Sequence, residues 1–173
     1  MTKKILLIIS VITLLSACQK DFSVWKEYND AELKKFEENL GKNSPDMDTV
    51  TEYWKSPTSG LLVEVFHRGQ TGIVPKLSSY VFCKQSGYLV DGTRFEYCEP
   101  TLASGYLVGG NNIRAGLKEI LCQMPMGSHF RIYVPYALAY GKEGSMGAST
   151  FYIPPYSVLI YDIEIVDVIQ NNP

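Results

Sequence analysis

Residues 158–168 alternate between Leu159, Tyr161, Ile163 and Ile165 on one side and Asp162, Glu164 and Asp167 on the other. A period of two places the two sets on opposite faces of a strand, so this segment belongs to a sheet with one buried face. Earlier segments read the same way. Leu61, Val63 and Phe66 mark a first strand with a turn at Arg68-Gly69-Gln70, and residues 79–90 form a second, closed by the turn signal Asp91-Gly92. Phe95 to Cys98 begin the return strand, and Phe130 to Val134 form another. Among the strands lies one core-facing helical pattern. Ile113, Leu117, Ile120, Leu121 and Met124 fall at i, i+4, i+7, i+8 and i+11, which predicts a helix over 112–123 capped by Asn111 or Asn112. Gly116 inside it costs about 1 kcal/mol relative to alanine, so a close backbone approach is expected there. The fold class is therefore α+β, antiparallel strands with a single helix packed on the sheet.

The N-terminus carries different information. Lys3 and Lys4 precede the apolar run Ile5–Leu15, and Leu15-Ser16-Ala17-Cys18 follows. Basic, apolar and small-residue regions in that order describe a secretory signal over 1–17, too short to read as a spanning helix. The competing reading, a buried first strand or helix, lacks amphipathic periodicity. Leu-Ser-Ala-Cys resembles a bacterial lipobox, which implies cleavage before Cys18 and its lipidation, with several acyl chains giving durable membrane anchoring. Gln19 rather than aspartate after the cysteine implies an exported protein on the outer membrane of a Gram-negative bacterium, periplasmic or surface-facing. Residues 18–58 then read as a lipid-anchored tether with a short helix. In that helix Leu33, Phe36 and Leu40 share a face, Asn29 is the N-cap and Gly41 the C-cap. Packing on its own domain is favoured over a dimerisation arm, because one three-turn stripe is short for a coiled coil. Residues 59–170 are the folded domain.

Composition narrows the chemistry. Loss of residues 1–17 removes two lysines and no acid, turning the net charge of −2 into −4. That excludes a generally basic nucleic-acid binder. Two histidines and four scattered cysteines, without CxxC or HExxH, leave little material for a metal site or a histidine-based triad. Cys83, Cys98 and Cys122 could include one disulfide in an oxidising compartment or serve as buried thiols. Ten of the twelve tyrosines follow residue 79, a clustering that serves core packing or an apolar pocket with a few polar anchors.

Five motif blocks occur in order: Asp91-Gly92-Thr93-Arg94-Phe95-Glu96, Ile113-Arg114-Ala115-Gly116-Leu117, Met124-Pro125-Met126-Gly127, Val134 to Gly141, and Ile153-Pro154-Pro155 with Leu159 to Glu164. The series resembles the FKBP-type peptidyl-prolyl cis-trans isomerases, immunophilins that bind tacrolimus and rapamycin. The resemblance implies a twisted antiparallel half-barrel wrapped around the 112–123 helix, with a shallow apolar pocket between them. It implies prolyl isomerisation of exported proteins without a cofactor, on proline-containing polypeptides. A non-catalytic lipoprotein that binds proline-containing or unfolded peptides is the alternative. Carried over by position, Phe95, Glu96 and Tyr140 are the catalytic candidates. Gln85, Ile113, Arg114, Leu117, Tyr152, Ile153 and Tyr161 are the substrate-binding candidates, with no metal ligand among them. Gln85 and Glu96 stand where the family has a hydrogen-bonded tyrosine and aspartate, and the swapped pair can remake that bond. Leu117 replaces a frequent tryptophan and Arg114 a usual isoleucine, which implies weak binding of tacrolimus-like macrolides. An insertion, Ser145 to Phe151, enlarges the loop over the pocket.

Overall fold

The structure, a computed structural model, describes residues 21–42, 50–98, 103–145 and 151–170. The signal segment, Cys18, most of the linker after Lys42, and residues 146–150 of the insertion lie outside the described residues.

Seven strands make one antiparallel sheet: β1 (Glu52–Lys55), β2 (Leu62–His67), β3 (Tyr80–Leu89), β4 (Arg94–Tyr97), β5 (Ser104–Leu107), β6 (His129–Val134) and β7 (Leu159–Ile169). Their order is β1-β2-β6-β7-β3-β4, and β5 pairs with the same strand, β3, as β4 does. Among the described residues two α-helices accompany them, α1 (Ser23–Asn39) and α2 (Ala115–Leu121), with a 3-10 turn at Tyr136–Leu138. The α+β expectation holds.

The alternation in β7 works as predicted through Ile165 and then changes parity. A register shift where Phe82 and Cys83 meet Asp167 and Ile165 inserts an extra residue, so Val166 and Asp167 are both exposed and Val168 turns inward. A bulge flips every side chain beyond it. The inner face of the sheet meets α2, whose Gly116, Leu117, Ile120 and Leu121 are buried. A Cβ on Gly116 would stand 2.7 Å from Val134 Cγ1 and 3.3 Å from Leu61 Cδ2, so the glycine is there for close approach, as its position predicts.

α2 begins at Ala115, later than expected, and neither Asn111 nor Asn112 caps it. Arg114 holds the cap position with extended backbone and no side-chain cap bond. α1 is corrected in the other direction. It starts at Ser23, whose N–H donates to Asp21 Oδ1 at 2.8 Å, so residues 23–28 are helix rather than tether. Asn29 is not a cap but a fully buried residue in mid-helix. Its Nδ2 donates to Trp25 O and its Oδ1 accepts the N–H of Val158, each at 2.8 Å. Trp25 Nε1 donates to Ser157 Oγ at 3.0 Å, and Phe36 stacks on Tyr133 with ring centroids 4.5 Å apart. The helix thus packs on its own domain. β1 also lies in the segment read as tether, yet it pairs with β2 along its whole length.

Cys83 is buried and Cys122 half-buried, both as thiols, while Cys98 Sγ accepts a hydrogen bond from Ser104 Oγ at 3.6 Å. Cys98 N–H bonds Gln85 O directly across the ladder, so Cys83 lies two residues off, on the diagonal. Diagonal partners are about 7–8 Å apart, beyond the reach of a disulfide without backbone movement. Burial pushes the Cys83 thiol up to about 12, with the Cys98 sulfur beside it adding to the effect.

Candidate active site

Between α2 and the inner face lies a cavity of about 130 Å³. β3 supplies Gln85, β4 Glu96, β5 Tyr106 and β7 Tyr161, while the segment entering α2 gives Asn112, Ile113 and Arg114. Leu117 and Leu121 of α2 form the aliphatic side, and Tyr140 closes the rim from the loop after β6. Each strand residue faces inward because of its place in the pleat. Gln85 follows Val81 and Cys83 in the buried register of β3, and Glu96 stands opposite Gly87, which shares that register.

Among the described residues, the lining brings together Gln85, Glu96, Ile113, Arg114, Leu117, Tyr140 and Tyr161 of the expected set. Three others lie elsewhere. Phe95 stands behind the cavity, its ring edge-on to Tyr161 at 5.5 Å and 90°. Ile153 is a core residue, 1 % exposed, fixed by its N–H bonding Ser145 Oγ at 2.9 Å. Tyr152, 51 % exposed, is not among the residues that line this cavity. The strand-like pairing of Ser145 with Ile153 turns alternate residues to opposite sides, which is why its neighbour Tyr152 goes to solvent.

Gln85 is the polar centre. Its Nε2 donates to Glu96 Oε1 in a short hydrogen bond and to Tyr106 Oη at 2.8 Å. The exchanged amide and carboxylate do remake the contact that their positions imply. Tyr106 was not among the sequence candidates. Its strand, Ser104–Leu107, is too short for alternation to show, and the tyrosine clustering is the only signal that touches it.

Burial sets the electrostatics. It pushes the Glu96 carboxyl above the ordinary range, with the Gln85 hydrogen bond pulling the other way. It pushes Tyr106 up to about 12 and Tyr161 well above the usual phenol value. Both phenols therefore keep their protons at neutral pH and remain hydrogen-bond donors. At the rim, the Arg114 guanidinium lies over the Tyr140 ring, 4.3 Å from its centroid. The lining holds no cysteine, serine, histidine or lysine among the described residues.

The raised Glu96 pKa gives a prediction with a definite sign. A carboxyl that binds its proton more tightly when folded favours the fold most below its unfolded pKa, and that contribution is lost as pH rises through the folded value. Glu96→Gln keeps an oxygen for Gln85 and removes the titration. The variant is expected to gain on wild type at about pH 7 and to lose that advantage at about pH 4. Urea unfolding at both pH values checks it; an equal or lower stability at neutral pH contradicts it.

A larger cavity of about 500 Å³ lies between α1 and the outer face, and several of its polar groups bond one another. Arg131 makes a two-pronged ion pair with Asp162, both contacts at 2.8 Å, and Tyr133 Oη donates to Glu64 Oε2 at 3.0 Å.

A sheet packed on one short helix thus encloses a cavity of tyrosine, aliphatic and hydrogen-bonded polar side chains. Residues 72–166 match the FKBP-type peptidyl-prolyl cis-trans isomerase domain, and the chain belongs to that family. Its sequence is 34 % identical over 116 residues to the FKBP-type 22 kDa peptidyl-prolyl cis-trans isomerase of Escherichia coli, covering 66 % of this chain and 52 % of that protein. It is 36 % identical over 137 residues to the FKBP-type peptidyl-prolyl cis-trans isomerase FkpA of Aeromonas hydrophila, covering 77 % of this chain and 45 % of the relative. The chain thus spans about half the length of the curated relatives it matches. The crystal structure of FkpA from Escherichia coli superposes with a TM-score of 0.72 at 26 % identity, covering 95 % of this chain and 70 % of that one.

Proposed function

We propose that this protein is a peptidyl-prolyl cis-trans isomerase acting on proline-containing polypeptides outside the cytoplasm, held to the outer membrane by lipid on Cys18. The observation that supports it best is the aliphatic and tyrosine-lined cavity with its Gln85–Glu96–Tyr106 network. Isomerisation has to overcome amide resonance, a barrier of about 18–20 kcal/mol. A planar amide spreads charge over its oxygen and nitrogen, and the twisted amide does not. A cavity with walls such as Ile113, Leu117 and Leu121 therefore favours the less polar twisted form over either planar form. Tyr140 and Tyr161 supply hydroxyls at the rim and in the depth of the cavity to orient the bond, while Phe95 braces Tyr161 from behind. Gln85 and Glu96 hold Tyr106 in place. No covalent step or proton transfer is required.

Exchange NMR on an Ala-Leu-Pro-Phe peptide tests this reading. Catalysed cis-trans exchange in the presence of the protein is the expected result, and chemical-shift changes without it would leave a peptide binder. Leu117 in place of an indole gives macrolides no flat aromatic surface, so tacrolimus is expected to bind weakly, which titration calorimetry measures.

Among the described residues no helix is long and apolar enough to cross a membrane, and the proposed attachment rests on the Leu-Ser-Ala-Cys motif. Cys18→Ser is expected to release the protein from the membrane fraction. Persistence in that fraction after a carbonate wash would contradict the lipid anchor.

A further inference from the structure

Arg114 is the one arginine or lysine that lines the cavity among the described residues. Its extended backbone at the start of α2 turns the side chain out of the helix and across Tyr140. Stacking occupies the face of the guanidinium and leaves N–H donors along its edge, the geometry that suits a carboxylate. No ion pair is formed by Arg114 among the described residues. The other charged group of the lining, Glu96, is taken by Gln85, and Lys118 one turn further on donates to Gly109 O at 3.3 Å. The rim therefore presents a positive group, steadied by an aromatic ring, beside a small cavity walled by tyrosine and aliphatic side chains.

We infer that Arg114 makes this site select polypeptides with an acidic residue next to the proline. The inference rests on the isomerase reading of the cavity and names the substrate class for it. A partly desolvated rim strengthens the pairing of a peptide carboxylate with Arg114 relative to water, and a lysine in its place meets repulsion.

The test compares Ala-Glu-Pro-Phe, Ala-Lys-Pro-Phe and Ala-Ala-Pro-Phe, following both catalysed exchange and the Kd from chemical-shift titration. Wild-type protein is expected to favour the Glu-Pro over the Lys-Pro peptide by about fivefold, the factor that one exposed ion pair of about 1 kcal/mol produces. The margin shrinks as salt is added. Arg114→Gln should bring the two peptides level, and Arg114→Glu should reverse their order. Arg94→Gln is the control, since Arg94 stacks on Tyr97 at the same 4.3 Å but lies outside the cavity; its preference should match wild type. Equal peptides or a Lys-Pro preference in wild type would overturn the inference. So would a preference that survives Arg114→Gln or disappears in Arg94→Gln. If no peptide is isomerised, the activity fails by itself, and the Kd values still decide: tighter Glu-Pro binding upholds charge selection, and equal binding sinks it.

Discussion

Phe95→Ala is expected to destabilise the protein by about 3–5 kcal/mol, the usual cost of truncating a buried phenylalanine. Phe95 is 7 % exposed and packs edge-on against Tyr161, which is itself 2 % exposed. On its other side, Gly87 makes the space: a Cβ there would come within 2.6 Å of the Phe95 ring. The cavity left by alanine cannot close easily, because Gly87 of β3 and Tyr161 of β7 are direct partners in a long antiparallel pairing. Turnover should fall further than stability alone dictates, since Tyr161 loses the surface that fixes its ring. Phe95→Leu keeps most of the volume and is expected to cost less than the alanine change. Urea midpoints and exchange rates for the two variants check the pair. A loss of under about 1 kcal/mol for alanine would mean that the ring is not part of the core.

Asn29→Leu is the second large effect. The replacement keeps the volume but leaves the buried N–H of Val158 without an acceptor, a cost of about 1–3 kcal/mol. Val158 opens the approach to β7, and its neighbour Ser157 is bonded both to Trp25 and to Pro154 O. Losing the Asn29 contact should therefore loosen the segment that carries Ile153, as well as α1. Hydrogen exchange is expected to accelerate at the Val158 amide and across α1 while α2 stays protected. Uniform acceleration over the whole sheet would show instead that α1 is part of one cooperative unit with it.

Much of the fold was legible because it rests on strong periodicities. β7, β3 and α2 carry apolar residues at fixed spacing, and each appears within a few residues of its expected position. β1 and β5 did not show, since four residues are too few to establish alternation and neither strand has a fully buried residue. The start of α1 was misplaced for a physical reason: Asn29 has the chemistry of a cap, and the acceptor that it offers is used by Val158, 129 residues away. No local pattern reports such a partner. The lining of the cavity was legible where inward strand positions carry it, as with Gln85, Glu96 and Tyr161. It failed at Tyr152, whose direction is set by the Ser145–Ile153 pairing, and it passed over Tyr106, whose importance comes from Gln85 across the sheet.

The central position of β7 also dictates the order in which the chain can become a protein. β1, β2 and β6 form one group of paired strands and β3, β4 and β5 another, and among the described residues β7 is the one strand paired with both groups. A nascent chain delivered N-terminus first holds two unjoined half-sheets until residues 159–169 arrive. Each half exposes the edge to which β7 will add, and pairing across such sequence separations is slow. The described sheet is therefore closed as one structure only when β7 has taken its place between the two groups.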